Sequence, residues 1–254
     1  MGALIGSALA LGQDTELIKN KILAQKDLNA FSFENFNFFN ESLIKREFLS
    51  RGAKIICEEK SFSDLQIPFA CVATNLENGE EVVFDNGALE PAIVASASLP
   101  LIFPPVFYRD KYLVDGAVRN NFPAMACRNL GAKKIIVISI VNNTLKQRIS
   151  GEIFMRHYQN MQESIEKSHK TKKPSLLEKK KKDFSFFTEI FMQSLDIAAA
   201  CCYEKEIIRA NPDLFIPVTC EIDMFEFSKI DQAIEIGRKA ALDNLDKIKA
   251  LIAA

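Results

Sequence analysis

One acidic residue, Asp115, stands where a carboxylate could take part in a reaction. It follows the apolar run Tyr112-Leu113-Val114, which is typical of a β-strand, and it precedes Gly116. The glycine lets the backbone turn sharply and gives other groups close access to the carboxylate. A carboxylate held at a strand end can act as a general base, and partial burial would raise its pKa toward a useful value. Asp-Gly pairs are also common in ordinary turns, so this pair alone fits either interpretation.

Other residues that carry catalytic chemistry are few or poorly placed. Both histidines, His157 and His169, fall in a strongly charged segment far from Asp115, which argues against a Ser-His-Asp triad. The sequence has no pattern for a metal site or a phosphate-binding glycine loop, so we expect no metal and no cofactor. The six cysteines include no Cys-x-x-Cys pair and are expected to be buried free thiols, which suits a reducing cytoplasm. They stand at positions 57, 71, 127, 201, 202 and 220.

Composition and charge narrow the class of protein. With 254 residues, 48% of them hydrophobic, the chain can bury one sizeable core, and we expect a single domain over residues 1–254. A net charge of −1 argues against a dedicated nucleic-acid-binding protein. Residues 1–12 are almost wholly apolar, but they are too few for a transmembrane helix and lack the basic start of a signal peptide. We expect a core helix over residues 2–24, with Gly2, Gly6 and Ala10 on one close-packed face.

Turn signals divide the middle of the chain. Asn78-Gly79 lies between two β-prone runs and predicts a hairpin with positive φ at both turn residues. A second hairpin is predicted to turn at residues 109–111. Between the two hairpins, Pro91 is expected to open a short helix that continues to Ser98.

The second half of the chain predicts a helix followed by a buried strand. Residues 123–130 are expected to be helical and to end at Gly131. Residues 134–141 form a continuous β-branched run, which is typical of a central strand buried on both faces of a parallel sheet. Residues 142–185 hold both histidines and many lysines, and we expect a basic, exposed insertion there. Its cations could touch anionic lipid or form an ordinary solvated loop.

A long helix is expected at the end of the chain, after Ser228. Small and apolar residues recur in it at helical spacing and predict one packed stripe. They are Ile230, Ile234, Gly237, Ala241, Leu245, Ile248 and Ile252.

Five segments, in this order along the chain, resemble the bacterial patatin-like phospholipase family. They are Met1-Gly2-Ala3-Leu4-Ile5-Gly6; Ile67-Pro68 with Ala73-Thr74-Asn75-Leu76 and Gly79-Glu80; Ala95 to Pro100 with Phe103-Pro104-Pro105-Val106; Leu113 to Ala117 with Asn120-Asn121-Phe122-Pro123; and Leu130-Gly131-Ala132. The resemblance is strongest over residues 61–141. The ordered set is specific, whereas no single segment would be.

The resemblance implies an α/β fold, a three-layer α/β/α sandwich around a mainly parallel central sheet. The family uses a Ser-Asp dyad and no cofactor to cleave carboxylic esters, typically in phospholipids and other acyl glycerolipids. Its serine lies in a G-x-S-x-G elbow. Its aspartate lies in an Asp-Gly-Ala or Asp-Gly-Gly motif, matched here by Asp115, Gly116 and Ala117, and takes the serine proton directly.

The start of the chain departs from the family pattern. Met1 and Gly2 correspond to the last two residues of G-x-S-x-G, so the resemblance places the serine just before Met1, with the oxyanion loop and the N-terminal strands further upstream. No nucleophile is expected within the chain, because Ser7 lies inside the predicted first helix and Ser96 and Ser98 belong to another family segment. As given, the chain is therefore expected to have no esterase activity.

Two hypotheses account for such a chain. In the first, an internal methionine was taken as the start, and the in-frame codons upstream encode Gly-x-Ser. In the second, the chain is a shortened, non-catalytic relative that binds lipid or a protein partner. In either case the expected location is the cytoplasm, with peripheral contact to a membrane as an open alternative.

Overall fold

The structure is a computed structural model that describes residues 2–24, 42–141, 191, 194–195, 205–222 and 227–253. Its helices are α1 (Gly2–Ala10), α2 (Thr15–Leu23), α3 (Arg46–Cys57), α4 (Leu89–Ser96), α5 (Ala124–Asn129), α6 (Ile230–Asp243) and α7 (Leu245–Ala253). Its strands are β1 (Cys71–Asn75), β2 (Glu81–Phe84), β3 (Val106–Tyr108), β4 (Lys111–Asp115), β5 (Ile136–Val141) and β6 (Leu214–Thr219). The predicted α/β class is confirmed, while the basic insertion lies outside the described residues.

The helix predicted over residues 2–24 is in fact two helices, α1 and α2. Gly12 has a φ of 74°, and its N–H group and that of Gln13 turn back to bond to carbonyls of α1. This arrangement ends α1 in a Schellman motif, which favours glycine at the residue with positive φ. Asp14 then caps α2 by accepting a hydrogen bond from the backbone N–H of Glu16 at 3.1 Å.

Strands β1 to β4 form a four-stranded antiparallel sheet in the order β2-β1-β4-β3. In this register Thr74 lies opposite Val114, and Val106 lies opposite Leu113. The expectation of a mainly parallel sheet does not hold for the described residues. Short turns join β1 to β2 and β3 to β4, and a short turn can join only antiparallel neighbours.

Both predicted hairpins are present, although their turns differ from the prediction. The first loop covers residues 76–80, and within Asn78-Gly79 only the glycine has a positive φ, of 71°. The second hairpin turns at Arg109 and Asp110, whose φ values are 52° and 57°. Lys111, which was expected to belong to this turn, is the first residue of β4.

One face of the antiparallel sheet carries the main hydrophobic core. Helices α1, α3 and α4 pack together against it. The most buried residues of this core include Ala8, Ile56, Cys57, Ala73, Phe84, Leu89, Ala92, Ile93 and Leu113. Helix α4 spans Leu89–Ser96, so it begins two residues before Pro91, where the sequence predicted its start.

Strands β5 and β6 pair in parallel, as the predicted crossover requires. On one face of this pair, Val137 packs with Ala124 of α5 and with Ala210 of the helical segment 205–210. On the other face, Ile138 and Ile140 are 68% and 73% exposed. The prediction that this strand is buried on both faces is therefore wrong for the described residues. Helix α6 packs against β6. The face of β5 that carries Ile138 and Ile140 stays open among the described residues.

The long C-terminal helix is broken at Asn244 into α6 and α7. Asn244 has a non-helical φ of −111° and ψ of 9°. Of the predicted packed stripe, Ile230, Ile234 and Ile248 are half-buried, whereas Gly237, Ala241, Leu245 and Ile252 are exposed. The residues of the stripe recur at helical spacing as predicted, but they are less buried than expected.

The helix predicted over residues 123–130 is confirmed as α5, and Gly131 follows it with a φ of 92°.

Candidate active site

Asp115 is the last residue of β4 and lies opposite Ala73 of β1. Side chains alternate along a strand, so Asp115 projects from the same face as Leu113, which is fully buried in the main core. The carboxylate itself is half-buried. The structure therefore places Asp115 at a strand end, as the sequence predicts, on the face of the sheet that the helices cover.

Three hydrogen bonds fix Asp115 and its carboxylate. The backbone N–H of Asp115 donates to the carbonyl of Ser98 at 2.9 Å. The hydroxyl of Thr74 donates to the carbonyl of Asp115 at 3.0 Å. The N–H of Ala117 donates to Oδ1 of the Asp115 side chain at 2.8 Å, which makes Asp115 the cap of the 3-10 helix Gly116–Val118. The residue is thus held by the segment that follows α4, by β1 and by its own turn.

Gly116 packs directly against the neighbouring strand. A Cβ atom at this position would lie 2.5 Å from the carbonyl oxygen of Val72 and 2.6 Å from its Cγ2. Contacts this short do not occur for real side chains, and the obstructing atom is part of the backbone of β1. Gly116 therefore lets the turn after β4 approach the backbone of β1 closely, which an ordinary Asp-Gly turn does not require.

Burial raises the pKa of Asp115, because a half-buried site stabilises the charged carboxylate less well than water does. Two smaller effects lower the pKa: the hydrogen bond from Ala117 N–H and the positive charge of the chain's α-amino group. A carboxylate with a raised pKa is a better proton acceptor than an exposed one.

We expect Asp115→Asn to raise the free energy of unfolding at pH 7 by about 1 kcal/mol. The pKa of Asp115 is higher in the folded state than in the unfolded state. At pH values above the folded-state pKa, the folded protein therefore holds a buried negative charge, which destabilises it. As the pH falls through the folded pKa, the native carboxylate takes up a proton and the wild type gains stability until the unfolded chain protonates near pH 4. The stability advantage of the variant should therefore be largest above the folded-state pKa of Asp115 and vanish in acid. Urea unfolding across this pH range measures it.

Asp115→Ala is the matched control for this stability prediction. Asn keeps an oxygen that can accept the bond from Ala117 N–H, whereas Ala removes this cap, which typically costs about 1 kcal/mol. The Ala variant should be less stable than the Asn variant at every pH. If Asp115→Asn were less stable than wild type at pH 7, the assigned burial of charge would be wrong.

The start of α1 faces open space. Gly2, the first residue of α1, is exposed, and a Cβ atom there would meet nothing within 4 Å. The predicted close-packed face is present only further along the helix, where a Cβ at Gly6 would lie 2.8 Å from Phe69 and where Ala10 is buried. Met1, the other residue of the predicted elbow remnant, lies outside the described residues. The amino end of α1 is thus accessible.

The serines considered as alternative nucleophiles are engaged elsewhere or poorly placed. Ser7 is fully buried in α1, donates to the carbonyl of Leu4 at 2.8 Å and lies 3.9 Å from the Cys57 sulfur. Ser98 is fully buried and donates to the carbonyl of Val94 at 2.7 Å. Ser96 ends α4 and is half-buried. That none of the three attacks a substrate stays a prediction.

The two buried thiols of the core are poor nucleophiles as well. Burial raises the pKa of Cys57 to about 11 and that of Cys71 to about 12. Both are free, as are Cys127 and Cys220, but Cys127 is exposed and Cys220 is half-buried, so the expectation of burial is wrong for these two. A thiol with such a pKa stays protonated at neutral pH, and only the thiolate reacts readily. Cys57 and Cys71 therefore act as small core residues, as the sequence analysis expects.

Three residues that support Asp115 were not assigned a role from the sequence. Thr74, Ser98 and Val72 contact Asp115 or Gly116 through pairings between segments that lie far apart in the chain. The only signal for them is that Thr74 and Ser98 fall in two of the segments that carry the family resemblance. His157 and His169 lie outside the described residues.

Among the residues that the structure describes, no group of three or more His, Cys, Asp or Glu side chains is arranged to hold a metal ion. Within the same residues, no helix combines the length and apolar character needed to span a bilayer.

These features define an α/β protein in which a half-buried aspartate with a raised pKa stands at the end of a strand. Comparison with known proteins extends this description, since residues 1–128 match the patatin-like phospholipase family. The match covers half of the chain, and the chain belongs to this family. The resemblance drawn from the sequence is confirmed.

Similar individual proteins come from bacteria, yeasts and animals. An uncharacterized NTE family protein of Mycobacterium tuberculosis is 24% identical over 251 residues, which cover 94% of this chain and 39% of that protein. A lysophospholipase of Debaryomyces hansenii is 32% identical over 91 residues, or 36% of this chain and 6% of that protein. A putative patatin-like phospholipase domain-containing protein of Caenorhabditis elegans is 26% identical, over 72% of this chain and 16% of that protein. The chain thus spans about two fifths of the mycobacterial relative.

Proposed function

We propose that this chain carries the proton acceptor of a lipid acyl hydrolase, which cleaves carboxylic esters of phospholipids or other acyl glycerolipids. Patatin-like proteins are a hydrolase family, and the Debaryomyces hansenii relative is named a lysophospholipase. The observation that carries the proposal is the placement of Asp115. Asp115 is half-buried at a strand end, and burial raises the pKa of its carboxyl group.

In the proposed reaction, Asp115 transfers protons for a serine nucleophile. The serine oxygen bonds to the ester carbonyl carbon while its proton moves to the Asp115 carboxylate. The protonated Asp115 then gives this proton to the departing alcohol, which leaves an acyl-serine. Water attacks the acyl-serine in the second half-reaction, with Asp115 again accepting and returning the proton. The Ala117 N–H engages Oδ1, so we assign proton transfer to Oδ2.

We place the nucleophilic serine at the amino end of α1. A strand-to-helix elbow exposes its serine at the start of a helix, where unpaired backbone N–H groups favour developing negative charge. One observation supports this location: the space around Gly2 is open. The described serines Ser7 and Ser98 are buried and bonded to backbone carbonyls.

For location, we propose the cytoplasm, with peripheral contact to lipid during catalysis. Support comes from the free cysteines of the described residues, Cys57, Cys71, Cys127 and Cys220, which suit a reducing compartment. A lipid substrate also requires the enzyme to meet an aggregate or a membrane surface.

The test compares the 254-residue chain with a form extended by the in-frame codons upstream of Met1. We expect those codons to encode Gly-x-Ser, the extended form to hydrolyse a p-nitrophenyl acyl ester, and the 254-residue chain to show no turnover above the buffer rate. Brisk hydrolysis by the 254-residue chain would show that its nucleophile lies elsewhere. Binding of phospholipid vesicles by the extended form without any hydrolysis would favour the non-catalytic lipid-binding alternative.

A further inference from the structure

Thr74 makes a contact that links the core strand β1 to the turn after Asp115. Its side chain is buried, with 3% of its surface exposed, and its hydroxyl donates to the Asp115 carbonyl at 3.0 Å. The pairing bridges residues 41 positions apart in the sequence. It depends on the register of β1 against β4, which sets Thr74 opposite Val114 and next to the partner of Asp115.

The carbonyl that Thr74 holds belongs to the peptide group between Asp115 and Gly116. The orientation of this peptide sets the course of the 3-10 turn Gly116–Val118, and therefore the direction of the Ala117 N–H. That N–H bonds to Oδ1 of Asp115 at 2.8 Å. Gly116, packed on the backbone of Val72, leaves this turn little freedom to adjust on its own. The Thr74 hydroxyl thus acts on the carboxylate through one peptide group.

We propose that Thr74 is a positioning residue that holds the Asp115 carboxylate in its working orientation. It does so by anchoring the 115–116 peptide and, through it, the Ala117 N–H. The inference rests on the proposed role of Asp115. The hydroxyl, not the size of the side chain, is the feature required.

The test uses three variants of the 254-residue chain and two NMR readouts. Thr74→Val keeps the shape but removes the hydroxyl, Thr74→Ser keeps the hydroxyl, and Ser42→Ala removes a buried hydroxyl that donates to the Ile44 carbonyl outside the site. One readout is hydrogen exchange of the Ala117 amide relative to the amides of β1 and β4. The other is the pKa of Asp115, taken from the pH titration of its carboxyl carbon.

Thr74→Val should speed exchange at Ala117 about tenfold relative to the strand amides, because its hydrogen bond loses alignment. It should also raise the pKa of Asp115, since that N–H bond lowers the pKa in the wild type. Thr74→Ser should restore both readouts, and Ser42→Ala should change neither. A Thr74→Val variant with a uniform rise in exchange and an unchanged pKa would show that Thr74 supports only the fold. Neither measurement requires enzyme turnover, so a negative result for Thr74 can be told apart from a failure of the proposed function.

Discussion

Asp115→Asn in the extended, serine-containing form is expected to lower kcat for ester hydrolysis by about 10²–10⁴-fold, with little change in KM. Asn is close in shape to Asp and can keep the bond from Ala117 N–H, so the site should stay folded. It cannot accept a proton at neutral pH, so the serine loses its base. We expect this split because Asp115 is the last residue of β4, where the substitution leaves the backbone pairing of the strand unchanged.

Asp110→Asn provides the matched control for this kinetic effect. Asp110 lies just before the opposite end of β4, in the hairpin turn, with a φ of 57°. Asn tolerates this left-handed conformation well, so the variant should fold and keep its full hydrolysis rate. Near-normal turnover by Asp115→Asn, measured alongside this control, would show that Asp115 is not the proton acceptor.

Gly116→Ala is expected to destabilise the protein by about 1–3 kcal/mol or more and to abolish hydrolysis by the extended form. The added Cβ would lie 2.5 Å from the carbonyl oxygen of Val72, and that oxygen belongs to the backbone of a fully buried strand. Relief requires β1 and the turn after Asp115 to separate, which moves the carboxylate. Chemical denaturation and steady-state kinetics measure the two effects.

Two comparison variants separate this contact from the general effect of adding a methyl group. Gly237→Ala changes a glycine in α6 whose added Cβ would meet nothing within 4 Å, and it should stabilise the helix by about 0.5–1 kcal/mol. Combining Gly116→Ala with Val72→Ala removes the Cγ2 contact but leaves the carbonyl contact, so rescue should be incomplete. If Gly116→Ala alone were as stable as the wild type, the close packing of this turn would be refuted.

Local signals in the sequence predicted many of the strands and turns around Asp115. An apolar run followed by Asp-Gly located the end of β4, and two turn signals located both hairpins of the antiparallel sheet. Gly131 marked the end of α5 because a positive φ favours glycine there. Each of these features depends on a few neighbouring residues, which is why the sequence alone could indicate them.

Features that depend on distant segments were missed. The contacts of Thr74 and Ser98 with Asp115 arise from strand register and from packing of α4, which no short stretch specifies. The apolar run of β5 predicted burial on both faces, yet Ile138 and Ile140 are exposed, because composition reports strand preference and not which neighbours cover a face. The break between α1 and α2 at Gly12 was missed because apolar residues continue up to it.

The most direct test of the central claim is the pH titration of the Asp115 carboxyl carbon by NMR in the 254-residue chain, with Asp115→Asn used to assign the resonance. A half-buried carboxylate at the end of β4 should titrate with a pKa above 3.8, the ordinary value for aspartate. A midpoint at or below 3.8 would show a solvated carboxylate and would contradict its assignment as the base.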